Sequence, residues 1–232
     1  IIRTNFSESG DRERDLGLSR CEVATNLFAE NFKANKLSYS TIFQSVSRSL
    51  QHGIMDVNLN NQMPDRADKA VFVSFRDFVP RYSTSSSIVI QGVRSDESPD
   101  LTVMWTMLGS PLTTVGMPLL IVSDSILPQI VQADQTGKAP LCTWSLELKK
   151  RLFPITRGEG KDYLDLAQLI SKDGQGIMQK IGQWENETMQ YSEKYLQKWR
   201  RKGKVDVQEY RELCQRIDSD LTEKYKSELG LD

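Results

Sequence analysis

Histidine and cysteine are scarce in this 232-residue chain, which holds one histidine, His52, and three cysteines, Cys21, Cys142 and Cys214. The cysteines are far apart, odd in number and form no CxxC pair. A disulfide framework and a structural zinc site are therefore not expected, because each needs paired ligands at short spacing. A charge imbalance is missing too: 30 Lys and Arg stand against 31 Asp and Glu, a net charge of −1. A nucleic-acid partner would show as a basic excess or stripe, so none is expected. No apolar run approaches the roughly 18–20 residues that a membrane helix needs, and no transmembrane span is expected. Internal repeats and low-complexity tracts are absent.

What the chain does have is enough apolar residue, 38%, to bury a real core in one large domain or one domain plus an appendage. It opens on Ile1-Ile2, which reads like the middle of a strand rather than an initiator or a charged leader. A signal peptide ahead of it would place the protein in the periplasm or outside the cell, so the compartment is not read from these residues.

From Ser19 the pattern is helical. Ser19-Arg20-Cys21-Glu22 fits an S-x-x-E capping box, with Val23, Leu27, Phe28 and Phe32 at helical spacing. A second helix is predicted from about Ser40 to Gln51, with Ile42, Phe43, Val46 and Leu50 inward, and a polar loop from Asn58 to Asp68 around Pro64. Strands are predicted at Ala70 to Phe75, Ser86 to Val93, Leu101 to Leu108 and Thr114 to Val122, with Pro118 marking an edge or bulge in the last. Short turns between consecutive strands predict an antiparallel meander. Beyond Asp124 helices are predicted near 144–152 and 162–171, then from Gly174 to Arg201 and from Val205 to Leu229, with Gly203 as a stop between the last two.

Several stretches carry a family resemblance: Arg3-Thr4-Asn5-Phe6-Ser7, Gly17-Leu18-Ser19-Arg20 through Phe28, Arg76-Asp77-Phe78-Val79-Pro80-Arg81-Tyr82-Ser83-Thr84-Ser85-Ser86, and Leu101 to Gly109 with Met104-Trp105-Thr106. In order and spacing they resemble the acyl-coenzyme A:6-aminopenicillanate acyltransferase-like branch, related to choloylglycine hydrolases, of the N-terminal-nucleophile hydrolases. The resemblance spans roughly residues 1 to 170. It implies an α+β fold forming part of an αββα sandwich, with an antiparallel sheet, flanking helices and a helical C-terminal tail. Residues 1–173 would be the C-terminal portion of the hydrolase-like domain and 174–232 a helical extension packed on it.

The chemistry implied is amide hydrolysis by an N-terminal cysteine, with Asn5 as an oxyanion donor and Arg20 supporting the thiolate. The polar run carrying Arg81, Ser83 and Thr84 would face substrate. No metal or organic cofactor is needed by that mechanism. The expected partners are a small-molecule amide substrate and a companion N-terminal chain or segment. This chain begins with Ile1 and none of its cysteines is terminal, so that companion would carry the nucleophile and this chain alone would be inactive.

Bland readings stand beside these. Asn5-Phe6-Ser7 is also a glycosylation sequon, and Asn186-Glu187-Thr188 is another. Arg20 opposes the helix dipole, which fits a functional role, yet an ion pair with Asp15 or Glu22 accounts for it equally well. Arg81 to Ser86 reads as a solvated strand entry, Cys21 as a half-buried helix residue, and His52, with no obvious partner in sequence, as structural. Trp105 and Met104 read as core, and the basic Lys198-to-Lys204 cluster as a solvated helix end. The rival functions are a non-catalytic binding protein that keeps the sandwich, an acyltransferase, and a helical interaction protein acting through the tail beyond Gly174.

Overall fold

Residues 17–122 and 126–231 are described by the structure, a computed structural model. In chain order they form α1 (Leu18–Lys33), a single turn α2 (Tyr39–Thr41) running into a π-helical stretch (Ile42–Ser47), β1 (Gln51–His52), β2 (Val57–Asn58), β3 (Phe72–Ser74), β4 (Ser86–Gln91), β5 (Val103–Leu108), β6 (Gly116–Leu120), α3 (Pro140–Leu152), β7 (Tyr163–Asp165), α4 (Leu166–Leu169), α5 (Ile177–Lys202) and α6 (Val207–Leu229). The class is mixed α+β with small antiparallel sheets. Two compact units emerge, each from two stretches of chain: residues 1–84 with 149–179, and residues 85–148 with 180–232.

In the first unit, α1 begins one residue earlier than its sequence suggests. Gly17 is the N-cap, at φ 103 and with no side-chain cap. Ser19 does not act as the capping-box residue because its hydroxyl is used elsewhere: it accepts the Gly53 N–H at 2.9 Å. A methyl group on Gly53 would sit 2.7 Å from the Ser19 carbonyl oxygen, so glycine is what lets the β1–β2 hairpin lie against this helix turn. The predicted second helix is shorter than expected and mostly π-helical, capped by Ser38, whose Oγ accepts the Thr41 N–H at 3.2 Å. Phe43, Val46 and Leu50 are still buried, as their spacing requires.

The stretch read as a helix at 162–171 is helical only over Leu166–Leu169 and begins as a strand. Tyr163 to Asp165 pairs antiparallel with β3, Val73 opposite Leu164. Asp165 then accepts N–H bonds from Val71 and Ala167, so it ties the strand pair and caps α4, which ends after Leu169. Leu164, Leu166 and Leu169 are fully buried behind it.

The second unit is built on the β4–β5–β6 meander, antiparallel throughout, with Val89 opposite Trp105 and Trp105 opposite Pro118. Alternation along β5 buries Val103, Trp105 and Met107 completely, while Met104 stays 37% exposed. On α6, Tyr210, Leu213, Cys214, Ile217, Leu221 and Tyr225 recur at three- and four-residue steps and are all buried. Each of the leucines and the isoleucine contributes about 1.5–3 kcal/mol by leaving water. Tyr225 stacks on Trp144 and meets Trp184 edge-on, and its hydroxyl donates to the Thr113 carbonyl. Gly203 and Gly230 take the left-handed conformations that end α5 and α6.

The outer edge of β6 is closed by side chains. Gly116 N–H donates to the Glu185 carboxylate at 2.7 Å and Leu120 N–H to the Tyr210 hydroxyl at 3.0 Å. Between them Pro118 has no N–H to offer, which is where a sheet tolerates proline. The Lys198-to-Lys204 cluster is a helix end neutralised by acid, as its neighbours predict: Lys198 and Lys202 both reach Glu209, which also accepts from the Trp199 indole.

Candidate functional site

Arg20 anchors the site in the first unit. It sits in the first turn of α1, only 7% exposed, at the end of the helix where the dipole disfavours a cation. Its Nε lies 3.8 Å from Oδ1 of Asp77. Asp77, a residue brought from the loop after β3, is thus a counter-charge to Arg20, while Asp15 lies outside the described residues. Burial lowers the Arg20 pKa first, and the charge of Arg81 lowers it further, while Asp77 works in the opposite direction. The guanidiniums of Arg20 and Arg81 therefore both lie in the field of Asp77.

Asp77 adopts φ 59, a left-handed conformation rare for a residue with a side chain. Strain of this kind costs on the order of 1 kcal/mol and persists where neighbours hold it. Phe75 and Phe78 hold it here, stacked with ring centroids 4.6 Å apart and both 3% exposed. The rings on either side fix the turn between them, and Asp77 at its apex faces Arg20.

His52 joins from the end of β1. Its ring meets Phe78 edge-on at 5.4 Å. Nδ1 accepts the N–H groups of Ile54 and Met55 at 3.3 and 3.1 Å, which fixes the hairpin tip and leaves the proton on Nε2. Burial lowers the His52 pKa, and the Asp77 carboxylate offsets part of that. His52, read from sequence as a structural residue without an obvious partner, packs on Phe78 and lies in the field of Asp77. The missing signal was the turn at Arg76-Asp77-Phe78, since a left-handed aspartate leaves no mark that distinguishes it from any loop aspartate.

Two openings meet at Arg76 and Asp77. One is a cleft of about 510 Å³ lined by His52, Met55, Val57, Leu59, Val73 and Phe78 among others, mostly apolar. The other, about 200 Å³, is lined by Arg81, Tyr82, Ser83, Lys161 and Asp162. Its basic side chains, Arg76, Arg81 and Lys161, outnumber the carboxylates of Asp77 and Asp162. Lys149 caps the face of the Tyr82 ring at 4.7 Å and donates to its carbonyl.

Of the residues singled out in the sequence, Arg20, Arg81 and Ser83 come together around Asp77. Thr84 does not line either opening; its Oγ1 accepts the Arg81 N–H at 3.0 Å, and its own N–H donates to the Arg81 carbonyl. That closes a turn which holds Arg81 in place. Asn5 lies outside the described residues. Cys21 is half-buried on α1. Among the described residues no group of three His, Cys, Asp or Glu side chains could hold a metal ion, and no helix is long and apolar enough to cross a membrane.

No family model matches the chain, and no curated protein or solved structure matches it either.

Proposed function

We propose that this chain is the later portion of an amide (C–N) bond hydrolase of the N-terminal-nucleophile type, in which a cysteine on a companion chain or segment is the nucleophile. The observation that carries this reading is the guanidinium of Arg20, buried at a helix start, with Asp77 at 3.8 Å and the positive charge of Arg81 acting on it. A site of that make-up favours an anion, either a thiolate or the oxygen of a tetrahedral intermediate. The Arg-Thr-Asn-Phe-Ser stretch adds Asn5 as a donor to that oxygen. An antiparallel sheet backed by α5 and α6 in the second unit is in keeping with an αββα sandwich.

In this mechanism the thiolate attacks the amide carbonyl carbon, and the carbonyl π electrons move to oxygen. Asn5 donates to that oxyanion, worth about 3 kcal/mol of barrier for a single such donor. Collapse breaks the C–N bond, the amine leaves with a proton passed on by the cysteine's own α-amino group, and a thioester remains. Water then hydrolyses the thioester to the acid and regenerates the thiol. An amine in place of water would make the protein an acyltransferase; water is favoured because it is always present. Arg20 acts throughout as a fixed positive charge. Arg81 and Ser83 offer a donor wall for substrate, and Thr84 fixes the turn that presents it.

Intact mass spectrometry with N-terminal sequencing of the purified protein tests the reading. A companion beginning with Cys supports it; the absence of any Cys-initiated species sinks it in favour of a binding protein. In the complete protein, Asn5→Ala is expected to cut turnover of an amide substrate by about 10²-fold. Arg20→Met is expected to move the acidic limb of the pH–rate profile upward, because the thiolate loses its supporting charge.

A further inference from the structure

The two edges of the β4–β5–β6 sheet are treated in opposite ways. The β6 edge is closed by Glu185, Pro118 and Tyr210. Among the described residues β4 is paired on one side only. The direction of its free groups follows from two observations. Gly109 N–H donates to Ser85 O, which sets the phase of the β4–β5 ladder, and Gly116 and Leu120 point away from β5, which sets the same phase from the other side. Alternation then turns Ser87, Val89 and Gln91 toward β5 and directs the backbone N–H and C=O of Ser86, Ile88 and Ile90 outward.

The side chains at those positions are apolar and in water: Ile88 is 53% exposed and Ile90 71%. Ile90 stands opposite Met104, itself 37% exposed, so the patch extends onto β5. No charged residue occurs from Tyr82 to Val93. An open edge of β-branched residues without lysine, proline or charge is what soluble proteins avoid unless something covers it.

We infer that a second copy of this chain covers it, β4 pairing antiparallel with β4 of its partner about a twofold axis at Val89. The sequence specifies that partner because Ser87-Ile88-Val89-Ile90-Gln91 is nearly a palindrome in chemistry, polar–Ile–Val–Ile–polar. An isologous contact needs such self-complementarity. With Val89 on the axis, Ile88 of one copy faces Ile90 of the other on one side of the sheet. Ser87 faces Gln91 on the other side, and no like charges meet. The outward residues Ile88 and Ile90 then exchange about four backbone hydrogen bonds across the axis. Association stops at two, because the far edge of each sheet is already closed by Glu185, Pro118 and Tyr210.

Sedimentation velocity of the full chain from about 1 to about 100 µM tests this, a range that reads micromolar association. The wild type is expected to sediment as a dimer. Ile90→Lys is expected to raise the dissociation constant at least about 100-fold by opposing charge to an apolar pair. Ile90→Pro is expected to do the same while keeping the β4–β5 ladder, since the N–H it removes points outward. Val89→Cys places two thiols across the axis at a Cα separation of about 4.5 Å, within disulfide range. It is expected to cross-link on mild oxidation, with the wild type as the blank and with the cross-link lost on adding Ile90→Lys. A monomer at every concentration overturns the inference, as does a dimer indifferent to both Ile90 variants or growth beyond the dimer. A monomer whose Ile88 and Ile90 amides are protected from exchange would also overturn it, and would assign the edge to a strand from another segment.

Discussion

Replacing Tyr210 by phenylalanine removes one oxygen and tests how the β6 edge is closed. Tyr210 is fully buried, and its ring packs edge-on to Trp199. The hydroxyl accepts the Leu120 N–H at 3.0 Å. Phenylalanine fills nearly the same volume, so packing is kept and the loss is one acceptor for a buried amide. A buried N–H left unsatisfied costs about 1–3 kcal/mol, so destabilisation of about 2 kcal/mol is expected. Burial raises the Tyr210 pKa, so the loss should be the same at every pH from neutrality to about 9. Hydrogen exchange gives the local readout. At about 1.4 kcal/mol per factor of ten, the Leu120 amide should exchange at least roughly tenfold faster in Tyr210→Phe, while Leu119, bonded to β5, changes less. A stability loss under about 0.5 kcal/mol with Leu120 exchange unchanged would refute the idea that this hydroxyl seals the edge.

The single histidine makes its titration unambiguous by NMR. Burial holds the His52 pKa below its ordinary value of 6.5, so the folded state favours the neutral ring. Its contribution to stability is therefore complete above pH 6.5 and is lost as pH falls from there through the folded pKa. Protonation of Nδ1 also breaks the bonds from Ile54 and Met55, so those two amides should lose protection over the same range. Asp77→Asn removes the charge that offsets burial and should move the titration lower still; an upward shift would show that Asp77 does not act on His52. In the second unit, Ser145→Ala deprives the Ser110 N–H of its acceptor at 2.9 Å and Thr113 of its hydroxyl partner at 2.8 Å. A loss of about 1–3 kcal/mol in urea unfolding is expected. Gly109→Ala should be worse, since its methyl group would meet the Ser145 Oγ at 2.3 Å in a backbone at φ +115.

The elements that the sequence made legible are those whose signal is local and repeated. The β4–β5–β6 meander was readable from alternation and short turns, and Pro118 on an edge strand follows from its missing N–H. Helices α5 and α6 were readable from apolar spacing, with Gly203 between them as the left-handed stop. The segment at 162–171 misled because Leu164, Leu166, Leu169 and Ile170 have spacings that suit a helix as well as a strand and a turn. What decides is Val73, ninety-one residues away in sequence, which claims Leu164 for a strand pair. The capping box at Ser19 misled for the same reason, since the Gly53 amide takes the hydroxyl that local pattern assigns to the helix end.

The candidate site was partly visible, and the divide is again between residue type and long-range placement. Arg20 stood out as a cation at the wrong end of a helix, and among the described residues Asp77 stands beside it. Arg81 and Ser83 stood out as polar groups in a family-like run, and they do gather at one opening. Asp77 beside Arg20 was not legible in the sequence, because that contact depends on a left-handed turn pinned between Phe75 and Phe78. Such a turn is worth its strain only if the carboxylate must be held where an ordinary loop would not hold it. The most direct check is Asp77→Gly, which relieves the backbone but deletes the charge. If the carboxylate matters for the site and the strain is its consequence, Asp77→Gly should be neutral or stabilising by up to about 1 kcal/mol at the backbone. It should also lower the His52 titration as Asp77→Asn does. If instead Asp77→Gly destabilises by more than Asp77→Asn, the side chain is a structural clamp and the strain is no sign of function.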